Sequence, residues 1–354
     1  MNLDRVEKIA EAVLYEGYML YPYRPSSVKN QQRWNFGVLY PSAWCSRQSG
    51  SDSSSMQTEC LLRTDEFTRL TVNVRFLQIV QRTAARLATL STESFDPTGS
   101  NLEPVDRLEV AGRVYQPWQE AAERELSYDD LDPADFSTMA PLLFSIPEKR
   151  DIEYLSDEQG VAVGAVIREW KALNGSIEIR SLSCHDDVVK ITVRVENLSC
   201  ANPTVEFESA SRETALSYSL ASAHTILGAE HGEFFSLLEP PTGFEKQVAQ
   251  CRNLGTWPVL ATDAGDAMLS SPIILYDHPE IAPESAGNLF DSTEIDEILS
   301  LRILTLTEDE KREMRQSDDR TRGILERTES MPEEQFMKLH GVLRGLAPAK
   351  EEMR

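Results

Sequence analysis

The sequence predicts an α+β, β-rich protein: an antiparallel, sandwich-like body with peripheral helices at its N- and C-termini. Three observations carry this expectation. Several runs alternate apolar and polar residues with period two and are rich in β-branched side chains. Helical periodicity is confined to the two ends of the chain. Between them, helices do not alternate with strands, which argues against a parallel α/β sheet.

Taken in order, Asp4 to Tyr15 read as a short amphipathic helix, with Val6, Ile9, Ala10, Val13 and Leu14 on one side. Tyr18 to Pro25 contains two prolines and reads as extended. Arg33 to Tyr40 reads as a strand closed by Pro41, and Gln48 to Ser55 as a Ser/Gly/Asp-rich loop. Leu70 to Val80 alternates over β-branched residues and predicts a long strand. Residues 91–106 and 129–140 read as loops, and 107–128 as a strand with an uncertain continuation.

The clearest strand is Val188 to Val195. Lys190, Thr192 and Arg194 take one face, and Val189, Ile191, Val193 and Val195 the other. Ile177 to Leu182 precedes it across Cys184-His185-Asp186-Asp187, which predicts an antiparallel hairpin with one wet face. Strand-like runs recur over 214–238 and 257–276. Thr293 to Asp296 and Thr307 to Glu310 both resemble capping boxes. Residues 308–328 read as a solvated helix whose main apolar residues are Met314, Ile324 and Leu325. The pairs Glu308 with Arg312 and Asp318 with Arg322 would support it at i,i+4. A last helix is expected after Pro332. The division is therefore a body over 1–305, including the N-terminal segment, and a helical extension over 306–354.

Among the 354 residues, 58 acids outnumber 35 bases, for a net charge of −23. Such a balance argues against nucleic acid or an anionic membrane as the partner, because both need a basic face. No signal-peptide pattern opens the chain and no apolar run approaches a membrane span, so the expected location is the cytoplasm. Five sparse cysteines do not read as a disulfide framework, and the Asn197-Leu198-Ser199 sequon has no meaning without secretion. P-loop, dinucleotide-binding, nucleophile-elbow, C-x-x-C and H-E-x-x-H patterns are all missing, which weakens an enzymatic reading without excluding it.

Three constellations stand out. Cys184 and His185, beside Asp186 and Asp187, offer sulfur, imidazole and carboxylate in one turn; they suit zinc or nickel, or simply a hairpin tip. His224 and His231, with Glu230, would face each other if Gly228 and Gly232 formed a turn between two strands. Asp277 lies in Asn253 to Leu301, a stretch with nine acids and no Lys or Arg. That stretch reads as a solvated face or a docking surface for a basic partner. Residues 1–47 contrast with it: six bases, four acids and a crowd of aromatics. Tyr21, Tyr23, Arg24, Arg33 and Trp34 are the candidate partner-binding residues, since Tyr, Trp and Arg dominate interface hot spots. The alternative is internal, with the aromatics in the core and the arginines paired to the acidic stretch.

Ala12 to Ser27, Arg33 to Gly37, Gly255 to Val259, Ser270 to Pro279, Glu294 to Leu299 and Thr305 to Thr307 together resemble a family of uncharacterised bacterial proteins associated with nickel–iron hydrogenase gene clusters. The resemblance covers about residues 10 to 330. It implies an accessory or maturation role whose partners are a hydrogenase subunit or its maturation factors, and it carries no catalytic residue. The competing expectation is a metal-dependent enzyme or metal-delivery protein using Cys184, His185, His224, His231 and Asp277. No cofactor is named by the residues.

Overall fold

The computed structural model describes residues 3–14, 36–46, 50, 52–88, 99–134, 141–185, 187–199, 210–280, 303–315 and 319–332. Helices α1 (Leu3–Leu14) and α2 (Ser42–Cys45) come first. Then follow β1 (Ser55–Leu87), β2 (Leu102–Val105), β3 (Leu108–Val110), β4 (Arg113–Tyr115), β5 (Trp118–Leu131), β6 (Leu142–Ile146), β7 (Lys149–Ser156), β8 (Ala162–Trp170), β9 (Leu173–His185) and β10 (Val188–Asn197). After α3 (Arg212–Leu216) come β11 (Leu220–Phe234), α4 (Glu245–Val248), β12 (Trp257–Leu260) and β13 (Ala267–Ser271). Helices α5 (Glu308–Arg315) and α6 (Asp319–Ser330) close the described chain. It is a β-rich α+β fold built on one large antiparallel sheet with a few short helices.

Among the described residues eleven strands form that sheet, and β3 pairs with β4 in a separate two-stranded one. The organising element is β1, whose 33 residues contain neither Gly nor Pro. One edge of β1 pairs in turn with β10, β5 and β2; the other pairs with β11 and then β8. The expected strand Leu70 to Val80 is thus the middle of a much longer one. Its register jumps between Thr64 and Arg69, where Asp65 to Thr68 bulge out opposite His231. Thr68 Oγ1 holds the bulge by donating to the His231 carbonyl at 2.6 Å.

The predicted hairpin is present: β9 and β10 pair antiparallel from His185 opposite Val188 onward. Ile177, Ile179, Ile191, Val193 and Val195 point into the main core with Phe76 of β1. Along the hydrogen bonds, β6 lies three strands from β1, roughly 14 Å at the usual spacing. Nevertheless Phe144 of β6 meets Phe76 with ring centroids 6.1 Å apart. The sheet therefore coils back over itself and closes the core in a sandwich-like way. Gly175 of β9 permits this, because a Cβ there would fall 2.3 Å from the Phe144 ring.

The opposite face of β1 and β11 is covered by the N-terminal part of the chain. Val6, Ile9 and Ala10 of α1 pack with Ile226, Val259, Leu269 and Leu275. Leu14 joins Tyr40, Trp44, Leu77 and Ile79 in a neighbouring cluster. Of the expected strand Arg33 to Tyr40, the described part forms an isolated bridge between Leu39 and Leu220. Asn197 is fully buried, and its Nδ2 donates to the carbonyls of Leu39 and Tyr218 at 2.7 and 2.9 Å. The sequon is thus a packing amide with no access for a glycan.

The C-terminal segment differs from the single helix expected over 308–328. Helix α5 stops at Arg315 and α6 starts at Asp319, and the two pack on each other. Ile303, Met314, Ile324 and Leu325, with Leu306, form a small core to which, among the described residues, this segment alone contributes. Its capping box is formed: Thr307 N donates to Glu310 Oε2 at 2.8 Å and Glu310 N to Thr307 Oγ1 at 3.3 Å. Glu308 pairs with Lys311 instead of the expected Arg312, which turns to Asp309. No helix among the described residues is long and apolar enough to cross a membrane. The capping box at Thr293, Asp318 and the helix after Pro332 lie outside the described residues.

Candidate functional site

The five metal-ligand candidates are distributed over separate parts of the fold. Cys184 and His185 end β9 at the tight turn into β10. His185 Nδ1 lies 3.3 Å from Asp187 Oδ1, and its ring stands edge-on to Phe244 at 5.9 Å. Asp187 is tied to β1, its carbonyl accepting from Thr64 N at 2.8 Å and its carboxylate 3.5 Å from Arg63 Nε. These contacts are those of a hairpin tip.

His224 and His231 do not face each other, which corrects the expected two-strand arrangement. Gly228 and Gly232 lie within β11, paired with Thr71 and Thr64, instead of forming a turn. Seven residues along β11 separate them, roughly 23 Å of backbone at the usual rise. His231 is exposed, with φ of 54°, and its ring lies 6.3 Å from that of Phe67. His224 is completely buried beside Ile226 on the α1-covered face. Its Nδ1–H donates to the Ser222 carbonyl at 2.9 Å, and its Nε2 has no hydrogen-bond partner. Burial lowers its pKa to about 4, opposed by the Ser222 bond and reinforced by the positive charge of Arg75, its cross-strand neighbour. The ring is therefore neutral at physiological pH.

Asp277 serves as a staple. Its Oδ1 accepts from Leu260 N at 2.7 Å, and its Oδ2 accepts from the Ser236 hydroxyl. Among the described residues there is no group of three or more His, Cys, Asp or Glu side chains placed to hold a metal ion.

Tyr21, Tyr23, Arg24, Arg33 and Trp34 lie outside the described residues. The end of the same segment is internal: Tyr40 and Trp44 are buried with ring centroids 6.3 Å apart, and Trp44 Nε1 donates to Asp52 at 3.3 Å. Burial pushes the Tyr40 hydroxyl up to about 12 despite the Arg212 guanidinium nearby.

One corner gathers residues that the sequence keeps far apart. Strands β12 and β13 pair with Trp257 opposite Ser271, which joins Gly255 to Val259 and Ser270 to Pro279. Phe36 and Gly37 reach the same corner along β11, their carbonyls accepting from Ser222 N and Ala223 N of that strand. Gly37 has φ of 54°, and a Cβ there would sit 2.6 Å from Pro272 Cγ, so both conformation and space select glycine. Beneath, Ser270 Oγ is linked at 2.7 Å to both Thr58 and Thr256 hydroxyls, locking the corner to β1.

From Ser271 the chain crosses the α1-side face of β12 and reaches its outer edge, where His278 N donates to Leu260 O. Leu275 is buried under this crossover with Val259. Ile274 and Tyr276 point outward, 70% and 83% exposed, and Trp257 on β12 is 45% exposed. Two large side chains thus stand in solvent on a crossover anchored at both ends, beside the half-exposed Trp257 of β12. Asp263 and His278 lie at its far end, 3.3 Å apart. Sequence reasoning noted the motifs but not this exposure, since a Trp-Pro or Leu-Tyr pair reads as core when its neighbours are unknown.

Glu59 was also invisible to sequence reasoning. This buried carboxylate of β1 accepts from Lys190 Nζ at 3.2 Å, Thr192 Oγ1 at 3.3 Å and Arg252 N at 2.8 Å. It joins β1, β10 and the strand-like run after α4, and all its partners are structural.

Comparison of the chain with protein-family models finds no match, and comparison with curated proteins finds none either.

Proposed function

We propose that the protein is a cytoplasmic accessory or maturation factor for a nickel–iron hydrogenase, acting by protein–protein binding through the β12–β13 corner. The observation that supports this is the exposure of Ile274 and Tyr276 on the anchored crossover and of Trp257 on the neighbouring strand β12. Large aromatic side chains held rigidly in solvent give contact area at low conformational cost. They belong to Gly255–Val259 and Ser270–Pro279, two of the stretches behind the resemblance to hydrogenase-associated proteins, and Gly37 packs against the same crossover.

The partner surface is basic. Asn253 to Leu301 carries nine acids and neither Lys nor Arg, so a positively charged hydrogenase subunit or maturation factor is steered towards it. In the expected arrangement the aromatics anchor the complex and the acids set its rate of formation.

The test is affinity capture from the native host with the wild type and with the Trp257→Ala/Tyr276→Ala double variant. Hydrogenase subunits or maturation factors should be recovered with the wild type and lost with the variant. Tyr276 stands largely in solvent, so the single Tyr276→Ala variant should hardly move the melting temperature and serves as the folding control for the half-covered Trp257. Recovery of no hydrogenase-related protein by the wild type sinks the hydrogenase assignment. Undiminished recovery by the variant sinks the proposed surface.

A further inference from the structure

Cys184 and Cys251 are distant in sequence but belong to one small apolar cluster. Cys184 lies next to the end of β9, and Cys251 lies three residues past α4. Both pack against the core of Leu61, Val188, Phe235 and Val248. The elements carrying them are joined by rings: Phe244, at the start of α4, meets His185 at 5.9 Å and Phe235 at 4.9 Å. Both are free, partly exposed thiols, with Sγ–H directed at the carbonyls of Leu182 (3.5 Å) and Gln247 (3.7 Å) respectively. A third free thiol, Cys60, is completely buried in the neighbouring main core.

We infer that Cys184 and Cys251 are a redox pair that closes into a reversible disulfide when the protein meets a low-molecular-weight disulfide oxidant. The inference rests on the packing of β9 against α4 and is independent of the hydrogenase reading. Roles within the pair follow from surroundings. Burial, then the Glu59 carboxylate, push the Cys251 thiol up to about 11, and a thiolate at Cys184 would push it further. The Cys184 sulfur contact is exposed whereas that of Cys251 is half-buried, so Cys184 meets the oxidant first and Cys251 resolves. Cys60 also lies near Cys251, but it is completely buried, and burial first and then the Cys251 sulfur hold its thiol well above the ordinary range, so oxidant reaches it last.

In the first step Cys184 gives its proton to solvent, and its thiolate attacks one sulfur of oxidised glutathione. The S–S bond of glutathione breaks, a Cys184–glutathione mixed disulfide forms, and one glutathione thiolate leaves to take up a proton. In the second step the Cys251 thiol loses its proton and attacks the Cys184 sulfur, expelling the second glutathione thiolate, which is protonated in turn. The two protein thiols are oxidised to one disulfide, and one oxidised glutathione is reduced to two thiols. A bridge here clamps the β9–β10 turn to the strand-like run that continues through Arg252 and Leu254 towards Trp257. That run is already fixed to β1 by Arg252 N on Glu59 and by the Gln57–Leu254 bridge.

The test is mass spectrometry of the full-length protein, folded in native buffer, exposed to oxidised glutathione, alkylated and digested with trypsin without reduction. Ser181–Lys190 and Gln247–Arg252 are tryptic peptides with one cysteine each. They should appear joined, two hydrogens lighter than their sum, and separate on reduction. The Cys251→Ser variant should trap glutathione on Cys184, and Cys184→Ser should leave Cys251 unmodified. The inference is overturned if the wild-type peptides are alkylated singly, if Cys184 links mainly to Cys45, Cys200 or a second chain, or if either cysteine of the pair links mainly to Cys60. It is equally overturned if Cys251→Ser carries no glutathione at Cys184. The wild-type map decides the matter even if a variant folds poorly.

Discussion

The main core and the C-terminal helical pair use similar apolar side chains over opposite ranges of sequence. In the body, the hydroxyls of Thr58 and Ser270 meet across 212 positions, and β1 alone pairs with five other strands. In the helical pair, Arg315 reaches Glu329 across 14 positions, and the core is supplied by residues 303 to 325. The body can thus form only when distant segments assemble together, whereas the pair needs a local reversal of the chain. Such local units sit at the low-stability end of a protein, because little apolar surface opposes the entropy of ordering them.

The largest expected effect tests the long-range side. Phe76→Ala removes the ring that meets Phe144 where the sheet closes on itself. It should cost about 3–5 kcal/mol in urea denaturation. A loss below ~1 kcal/mol would show that the closure contributes little. Leu325→Ala is its counterpart: hydrogen exchange should rise throughout α5 and α6 while the urea midpoint of the body stays in place.

The next effect is confined to the body and depends on pH. His224 titrates near 4 when folded and near 6.5 when unfolded, so between these values the unfolded chain binds more protons. The stability due to a neutral His224 is complete above pH 6.5 and is lost as pH falls towards 4. The expected loss is about 2 kcal/mol at pH 5 and about 3 kcal/mol at pH 4. His224→Gln should remove that part of the slope, as read from urea midpoints at pH 7.5 and 5. An unchanged slope in the variant would mean that other groups set the acid sensitivity.

Smaller effects fall on the local side. Thr307→Ala breaks one arm of the capping box and should weaken α5 by about 1 kcal/mol, seen as faster exchange of its first-turn amides. A chain ending at Arg302 removes the helical pair with its own core and should leave the body's melting temperature nearly unchanged. Extensive loss of soluble protein on that truncation would mean that the pair supports the body after all.

Local order could be read from the sequence wherever neighbours along the chain supply the pattern. The alternation of Lys190, Thr192 and Arg194 with Ile191, Val193 and Val195 marks β10, and its hairpin with β9 follows from the turn between them. The spacing of Val6, Ile9, Ala10 and Leu14 marks α1, and Thr307 with Glu310 marks the start of α5. Only the tertiary structure decided the extent of β1, because Asp65 to Thr68 look like a break until His231 is found across from them. It alone made β11 one strand despite Gly228 and Gly232, whose partners Thr71 and Thr64 hold them extended. It also separated His224 from His231 and brought Cys184 to the same cluster as Cys251. The exposure of Trp257, Ile274 and Tyr276 depends likewise on which side of β12 the chain crosses. Period and capping are written in adjacent residues, but register and burial are properties of pairs that meet only when the sheet closes.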